Sequence, residues 1–286
     1  MTKVNIEISL ERIANALEDL KPKSFNNFSF SQSNTFLWQS DPDNLIPIIN
    51  KNFIKLDQLL GIENSKETLL LNTIQFANGF SANNALLWGA RGMGKSSLVK
   101  AVHYENLDKK LKLIEISRED LSSLSKLLRI LRVSKERFII FCDDLSFDNH
   151  DDNYKSLKAV LDGGVEGSPE NVIFYATSNR RHLMSRDMIE NEKSTAINPH
   201  EAVEEKISLS DRFGIWLGFH QCSQNDFFEI ILNYFEILEI KIPKEEILSE
   251  AVKWQQQRGA RSGRVAWQFV TYFAGKHKIA LNKFFS

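Results

Sequence analysis

Eight consecutive residues, Gly89-Ala90-Arg91-Gly92-Met93-Gly94-Lys95-Ser96, fit the pattern G-x-x-x-x-G-K-[ST] at every constrained position. The chemistry of that pattern is phosphate binding. Glycines let successive backbone N–H groups turn toward one centre. A helix N-terminus adds its partial positive charge beside them. Lys95 is placed to reach the β- and γ-phosphates of a nucleoside triphosphate, and the Ser96 hydroxyl to ligate Mg2+. Ser97 completes the expected binding segment. A plain glycine turn between strand and helix is the competing reading; Gly-Lys-Ser in register, with the right flanks, argues against it.

Carboxylates and an amide follow at strand ends. The apolar run Phe138-Ile139-Ile140-Phe141-Cys142 stops at Asp143-Asp144. Asp143 there can support Mg2+, directly or through water, and Asp144 can orient or deprotonate an attacking water. Solvated acids at an ordinary turn are the alternative. A second apolar run ends in Thr177-Ser178-Asn179. Inserted between the first two strands, it would set Asn179 beside the γ-phosphate, where an amide can both donate to oxygen and hold water. Turn chemistry is the alternative for this Ser-Asn pair. Arg212, before the last apolar run, and Arg261 or Arg264, before the last helical pattern, could stabilise transition-state charge. Each taken alone reads as a surface arginine.

These residues need a scaffold, and the rest of the sequence supplies one. Apolar runs at 85–88, 111–116, 138–142, 172–176 and 215–219 alternate with helical patterns, which indicates a mostly parallel five-stranded sheet with helices on both faces. Residues 6–20 have helical spacing that Pro22 stops, and 23–34 read as a loop. The expected organisation is an N-terminal extension over 1–50, a nucleotide-binding α/β domain over 51–221 and a helical lid over 222–286. The polar stretch 185–206 reads as a long, partner-contacting loop. Trp88, Trp216, Trp254 and Trp267 read as core. At 42% hydrophobic and 26% charged, the 286 residues describe an ordinary globular protein. A formal net charge of −1 shows no basic field for nucleic acid and no polybasic tail, although a local patch can hide in a neutral total. No apolar run spans a bilayer and no secretory signal is visible, so no membrane is expected. The two cysteines, Cys142 and Cys222, have no metal-type spacing; a reducing cytoplasm fits.

In this order the motifs resemble those of AAA+ ATPases. The phosphate loop, Asp143-Asp144, Asn179, Arg212 and Arg261 correspond to Walker A, Walker B, sensor 1, arginine finger and sensor 2. More closely, the stretches 83–92 (Asn83-Asn84-Ala85-Leu86-Leu87-Trp88-Gly89-Ala90-Arg91-Gly92), 141–147 (Phe141-Cys142-Asp143-Asp144-Leu145-Ser146-Phe147), 175–183 (Tyr175-Ala176-Thr177-Ser178-Asn179-Arg180-Arg181-His182-Leu183) and 204–214 (Glu204-Glu205-Lys206-Ile207-Ser208-Leu209-Ser210-Asp211-Arg212-Phe213-Gly214) resemble an uncharacterised bacterial AAA+ family, known as a domain of unknown function. The resemblance covers roughly 45–273. It implies a P-loop fold with a C-terminal helical lid, ATP and Mg2+ as cofactors, ATP hydrolysis, and a homo-oligomer acting on an unknown protein or nucleic-acid client. It implies an adenine pocket at Gly61 and Ile62. It leaves sensor 2 between Arg261, favoured because Gly-Ala-Arg resembles protein-unfolding relatives, and Arg264. The second Walker B acid, most often Glu in AAA+ proteins, is Asp144, as in replication-initiator and helicase-loader relatives; a shorter side chain suggests slow hydrolysis. The basic cluster Arg180-Arg181-His182 could meet nucleic acid or a neighbouring subunit.

Overall fold

The computed structural model describes residues 29–49, 54–147, 153–163, 167–181, 183 and 209–281, together with Arg12. The expected helix over 6–20, His182 and the loop 185–206 lie outside the described residues. The chain divides between Gln32 and Ser33, and the following concerns the unit from Ser33 onward.

The sheet begins with β1 (Thr35–Ser40) and β2 (Asp43–Pro47), an antiparallel pair. Then come β3 (Ala85–Gly89), β4 (Leu111–Ile116), β5 (Arg137–Cys142), β6 (Val172–Ser178) and β7 (Ile215–Phe219). The order across the sheet is β2-β1-β4-β5-β6-β3-β7. Every neighbouring pair except β1–β2 is parallel. Strands covered on both faces have no water-facing side, so they read as continuous apolar runs; this is why the last five were legible. The sheet has seven strands rather than five because β1 and β2, inside the expected N-terminal extension, are short and mixed in polarity. They are sheet nonetheless. Phe36 and Trp38 are each 1% exposed, and Trp38 Nε1 donates to Ser123 Oγ at 2.7 Å. Lys112 Nζ, under the same edge, donates to Ser33 O at 2.9 Å and Asn34 Oδ1 at 2.8 Å.

Helices cover the sheet: α1 (Glu63–Ala77), α2 (Lys95–Tyr104), α3 (Leu124–Arg132) and α4 (Asn153–Leu161). The lid is three helices, α5 (Gln224–Ile237), α6 (Lys244–Arg258) and α7 (Gly263–Lys276). Ser223 starts α5 with a reciprocal cap: its Oγ accepts from Asp226 N at 3.2 Å, and Asp226 Oδ2 accepts from Ser223 N at 2.8 Å. Gly259 ends α6 in the left-handed region. The lid has its own aromatic core, in which Phe235 and Phe273 meet edge to face at 5.1 Å. Met93 of the phosphate loop packs against both this core and that of the sheet. The four tryptophans taken for core are only half-buried. Among the described residues no helix is long and apolar enough to cross a membrane.

The β1–β2 hairpin yields a stability prediction. Trp38→Ala should cost about 3–5 kcal/mol, chiefly through the cavity, with the hydrogen bond that Ser123 Oγ accepts lost as well while its own donation to Asp120 O remains, read from the urea midpoint. An unchanged midpoint would show the hairpin to be an ornament on the sheet edge.

Candidate active site

β3 runs into the loop 90–94 and then α2. Gly89 has φ 127°, and a Cβ there would lie 2.1 Å from Phe219 O. Ala90 N donates to that same oxygen at 2.8 Å, so the loop is clamped to the end of β7. Gly92 has φ 74°, and a Cβ would fall 2.9 Å from both Ser262 Oγ and Arg264 Cβ. Gly92 O accepts from Arg264 N at 3.1 Å. The loop thus touches the start of α7, whose first turn is capped by Ser262 Oγ accepting from Val265 N at 3.3 Å.

Lys95, 7% exposed, donates from Nζ to Gly89 O at 2.9 Å, Ala90 O at 2.8 Å and Asn179 Oδ1 at 3.3 Å. Burial holds its ammonium below the ordinary lysine pKa, and the carboxylates of Asp144 and Asp143 oppose that shift. Asn179 passes the chain on: its Nδ2 donates to Asp144 Oδ1. A second chain starts at Ser96, whose Oγ donates to Asp143 Oδ1 at 2.6 Å. Thr177 Oγ1 donates to the same carboxylate oxygen at 2.5 Å and accepts from Asp144 N at 2.8 Å. Asp144 itself has φ 52°, a left-handed conformation uncommon outside glycine.

Both chains exist because β6 pairs with β3 on one side and β5 on the other, the insertion expected for the strand of Asn179. The donor set suits Mg2+. Among the described residues no three His, Cys, Asp or Glu side chains gather to hold a metal. Mg2+ does not need them; it commonly takes one or two protein oxygens beside waters and phosphates. Ser96 and Asp143 would be those oxygens.

A cavity of about 440 Å³ lies between this constellation and the lid. Its polar end is Gly92, Met93, Gly94, Lys95, Ser96, Ser97 and Asp143; its apolar end is Leu59, Leu60 and Ile62 facing Ile230, Tyr234 and Trp267 of the lid. Ile62 lines this cavity and also a neighbouring one of about 420 Å³, which Gly61 borders with His220 and Gln221. Arg264 lines the cleft, whereas Arg261 is exposed at the start of the lid's last helix and is absent from the lining. Arg261 precedes the helix cap at Ser262, and Arg264 lies in the helix's first turn. Arg91 is exposed. Arg212 is not in the cleft; its Nε is paired with Asp162 Oδ1. The Arg181 guanidinium stands over the Trp88 ring at 5.4 Å. Sequence reasoning missed Thr177, which the polar end of a buried strand could have signalled, and missed the lid residues Tyr234 and Trp267, whose helical spacing reads as core.

Comparisons with known proteins bear on the family and the fold. A family model described as a protein of unknown function (DUF815) matches residues 31–277. The RuvB subunit of the Holliday junction branch migration complex of Mycoplasmopsis synoviae (strain 53) is 29% identical over 164 residues, 57% of this chain and 48% of that protein. The chain therefore spans about half the length of the curated relative it matches. The ORC1 protein of Aeropyrum pernix, solved in complex with DNA, superposes with a TM-score of 0.53 at 15% identity, covering 82% of this chain and 67% of that one. A DNA replication initiation factor superposes at 0.50 and 14%, covering 80% and 66%. At these identities the superpositions speak to the fold.

Thr177 generates the test of the hydrogen-bonded frame. Thr177→Val should take from the Asp144 N–H the shorter of its two acceptors, leaving Asp143 Oδ1 at 3.2 Å, and remove one donor from Asp143, lowering stability by about 1 kcal/mol. Thr177→Ser should retain wild-type stability. Equal urea midpoints for Val and Ser would refute the role of the hydroxyl.

Proposed function

We propose that this chain, which belongs to the DUF815 family of proteins of unknown function and has the AAA+ P-loop ATPase fold, binds ATP with Mg2+ in the cleft beneath its lid and hydrolyses it to remodel or load a partner. The observation that carries this reading is the pair of hydrogen-bonded chains, Lys95–Asn179–Asp144 and Ser96–Asp143–Thr177. They gather a cation, an amide and two carboxylates at the mouth of one phosphate loop.

In this reading the loop N–H groups and Lys95 hold the phosphates, and Lys95 exchanges its contacts with Gly89 O and Ala90 O for phosphate oxygens. Mg2+, held by Ser96 and Asp143, would neutralise charge on the β- and γ-phosphates. Asp144 takes a proton from the attacking water, and Asn179 keeps both the carboxylate and the water in place. Arg264, at the cleft wall, links the lid to the nucleotide; Arg261 is the weaker candidate. The apolar wall packs on the base. Arg212 acts across a subunit boundary in a homo-oligomer, which requires it to leave Asp162.

A second reading is a nucleotide-dependent switch or helicase-loader-like protein that hydrolyses seldom and acts with nucleic acid. Two observations favour it over a fast motor. Asp144 is one methylene shorter than glutamate, and its carboxylate is already engaged by Asn179.

Lys95→Ala should weaken ATP binding by about tenfold or more, measured by titration with a fluorescent ATP analogue; an unchanged affinity would sink the site. Asp144→Asn should keep binding and lose turnover by about a hundredfold or more. Wild-type protein that binds ATP and shows no turnover, with or without nucleic acid, would select the switch. Mixing Arg212→Ala with Lys95→Ala subunits should restore part of the activity that each lacks, because some interfaces then pair an intact loop with an intact arginine. No recovery on mixing would place Arg212 in its own subunit's chemistry or outside it.

A further inference from the structure

Charge is unevenly placed along this chain. Residues 251–286 contain seven Lys and Arg and no Asp or Glu, although the whole chain carries −1. Six of those cations, Lys253, Arg258, Arg261, Arg264, Lys276 and Lys278, are described, and all are exposed. Among the described residues only Lys276 of this set forms an ion pair, with Glu250 at 2.5 Å. Cations on the sheet domain are commonly paired, as Lys100 is with Glu115 at 3.1 Å and Lys112 with Glu136 at 3.8 Å.

The lid gives these charges a surface with aromatic character. Positions 250, 254 and 258 share one face of α6, each a turn apart. Facing them on α7 are 272 and 276. The Tyr272 ring stacks on Trp254 at 4.9 Å with 27° between planes. The Arg258 guanidinium covers Trp254 at 5.0 Å. Along this seam a guanidinium, two stacked rings and an ammonium follow one another. Tyr272 is 51% exposed, so one side of its ring is held by Trp254 while the rest faces water. A ring fixed this way loses little freedom when something stacks on it.

We propose that the α6–α7 seam is a binding surface for single-stranded nucleic acid. A base stacks on the outer side of Tyr272, and Lys253, Arg258 and Lys278 meet the flanking phosphates. Unpaired exposed cations supply the salt-dependent part of such binding, and a presented aromatic ring supplies the part that needs an unstacked base. An acidic polypeptide would satisfy the charges and leave the tyrosine without a role. The seam is separate from the nucleotide cleft, so the proposal stands whatever the fate of the ATPase reading.

The test uses the full chain without nucleotide and labelled oligo-dT and oligo-U of equal length, followed by fluorescence anisotropy across a salt series. Binding should weaken linearly in log salt, and the slope should fall by about 0.7 for each cation removed in Lys253→Ala, Arg258→Ala and Lys278→Ala. Tyr272→Ala should weaken binding about tenfold, and Tyr272→Phe should restore it. ATP affinity, measured in parallel, should match the parent in every variant, which shows that the fold is intact. Preference for one oligomer over the other tells DNA from RNA, and either supports the surface. The proposal is overturned by absence of binding at low salt, or by a triple lysine–arginine variant that binds as the parent does. It is equally overturned if Tyr272→Ala binds normally while a polyglutamate competes as well as the oligomer, which assigns the patch to an acidic partner or to a second copy of the chain.

Discussion

The position of β6 between β3 and β5 is the constraint on which the rest depends. Its register sets Leu87 beside Thr177 and Trp88 beside Ser178 on one side, and Cys142 beside Ala176 on the other. Thr177 therefore comes level with Asp143, one residue past the end of the β5 ladder. Asn179 comes level with the first glycine of the phosphate loop. Side chains on a strand alternate between faces, so a slip of one residue would turn the Thr177 hydroxyl away from both acids. The buried, near-continuous apolar packing of β5 and β6 is what forbids that slip.

Above the sheet a second dependence appears. Two hydrophobic cores, one under the sheet and one in the lid, share Met93. Next to it, Gly92 accepts a backbone hydrogen bond from Arg264. The phosphate loop is thus in contact with both halves of the cleft at adjacent residues. A shift of the loop has to be absorbed by both cores, since packed interiors deform little. The lid and the loop are mechanically one device, and Ser262 and Gly92 set how closely they approach.

Much of this was legible in the sequence. That the glycine loop, Asp143-Asp144 and Asn179 come together could be anticipated, because each follows an unbroken apolar run of the kind parallel strands demand and the loop carries a fixed spacing of residue types. What stayed hidden had weaker signals. β1 and β2 are short and mixed in polarity, and their membership of the sheet depends on Trp38 finding Ser123, 85 positions away. Tyr234 and Trp267 have the spacing of ordinary helix cores; only the lid's placement turns them toward the cleft. Arg261 and Arg264 cannot be separated from sequence because the helix start that falls between them, at the Ser262 cap, and the tertiary contact of Arg264 with Gly92 are not written in the spacing. The near-neutral total charge concealed a wholly cationic final stretch.

The hairpin at the sheet's margin has a consequence for how molecules of this protein behave in a crowd. Without β1 and β2, the strand β4 would present a buried-type, apolar row of unsatisfied backbone groups to any passing chain. With them, the outermost strand is β2, five residues that contain Asp43 and Asn44 and finish at Pro47, which has no N–H to offer. The opposite margin, β7, is also only five residues long. Short margins of this kind, one closed by proline, are poor templates for strand addition. The hairpin serves the colloidal life of the molecule as much as its architecture, because it keeps sheet-to-sheet sticking from starting at β4.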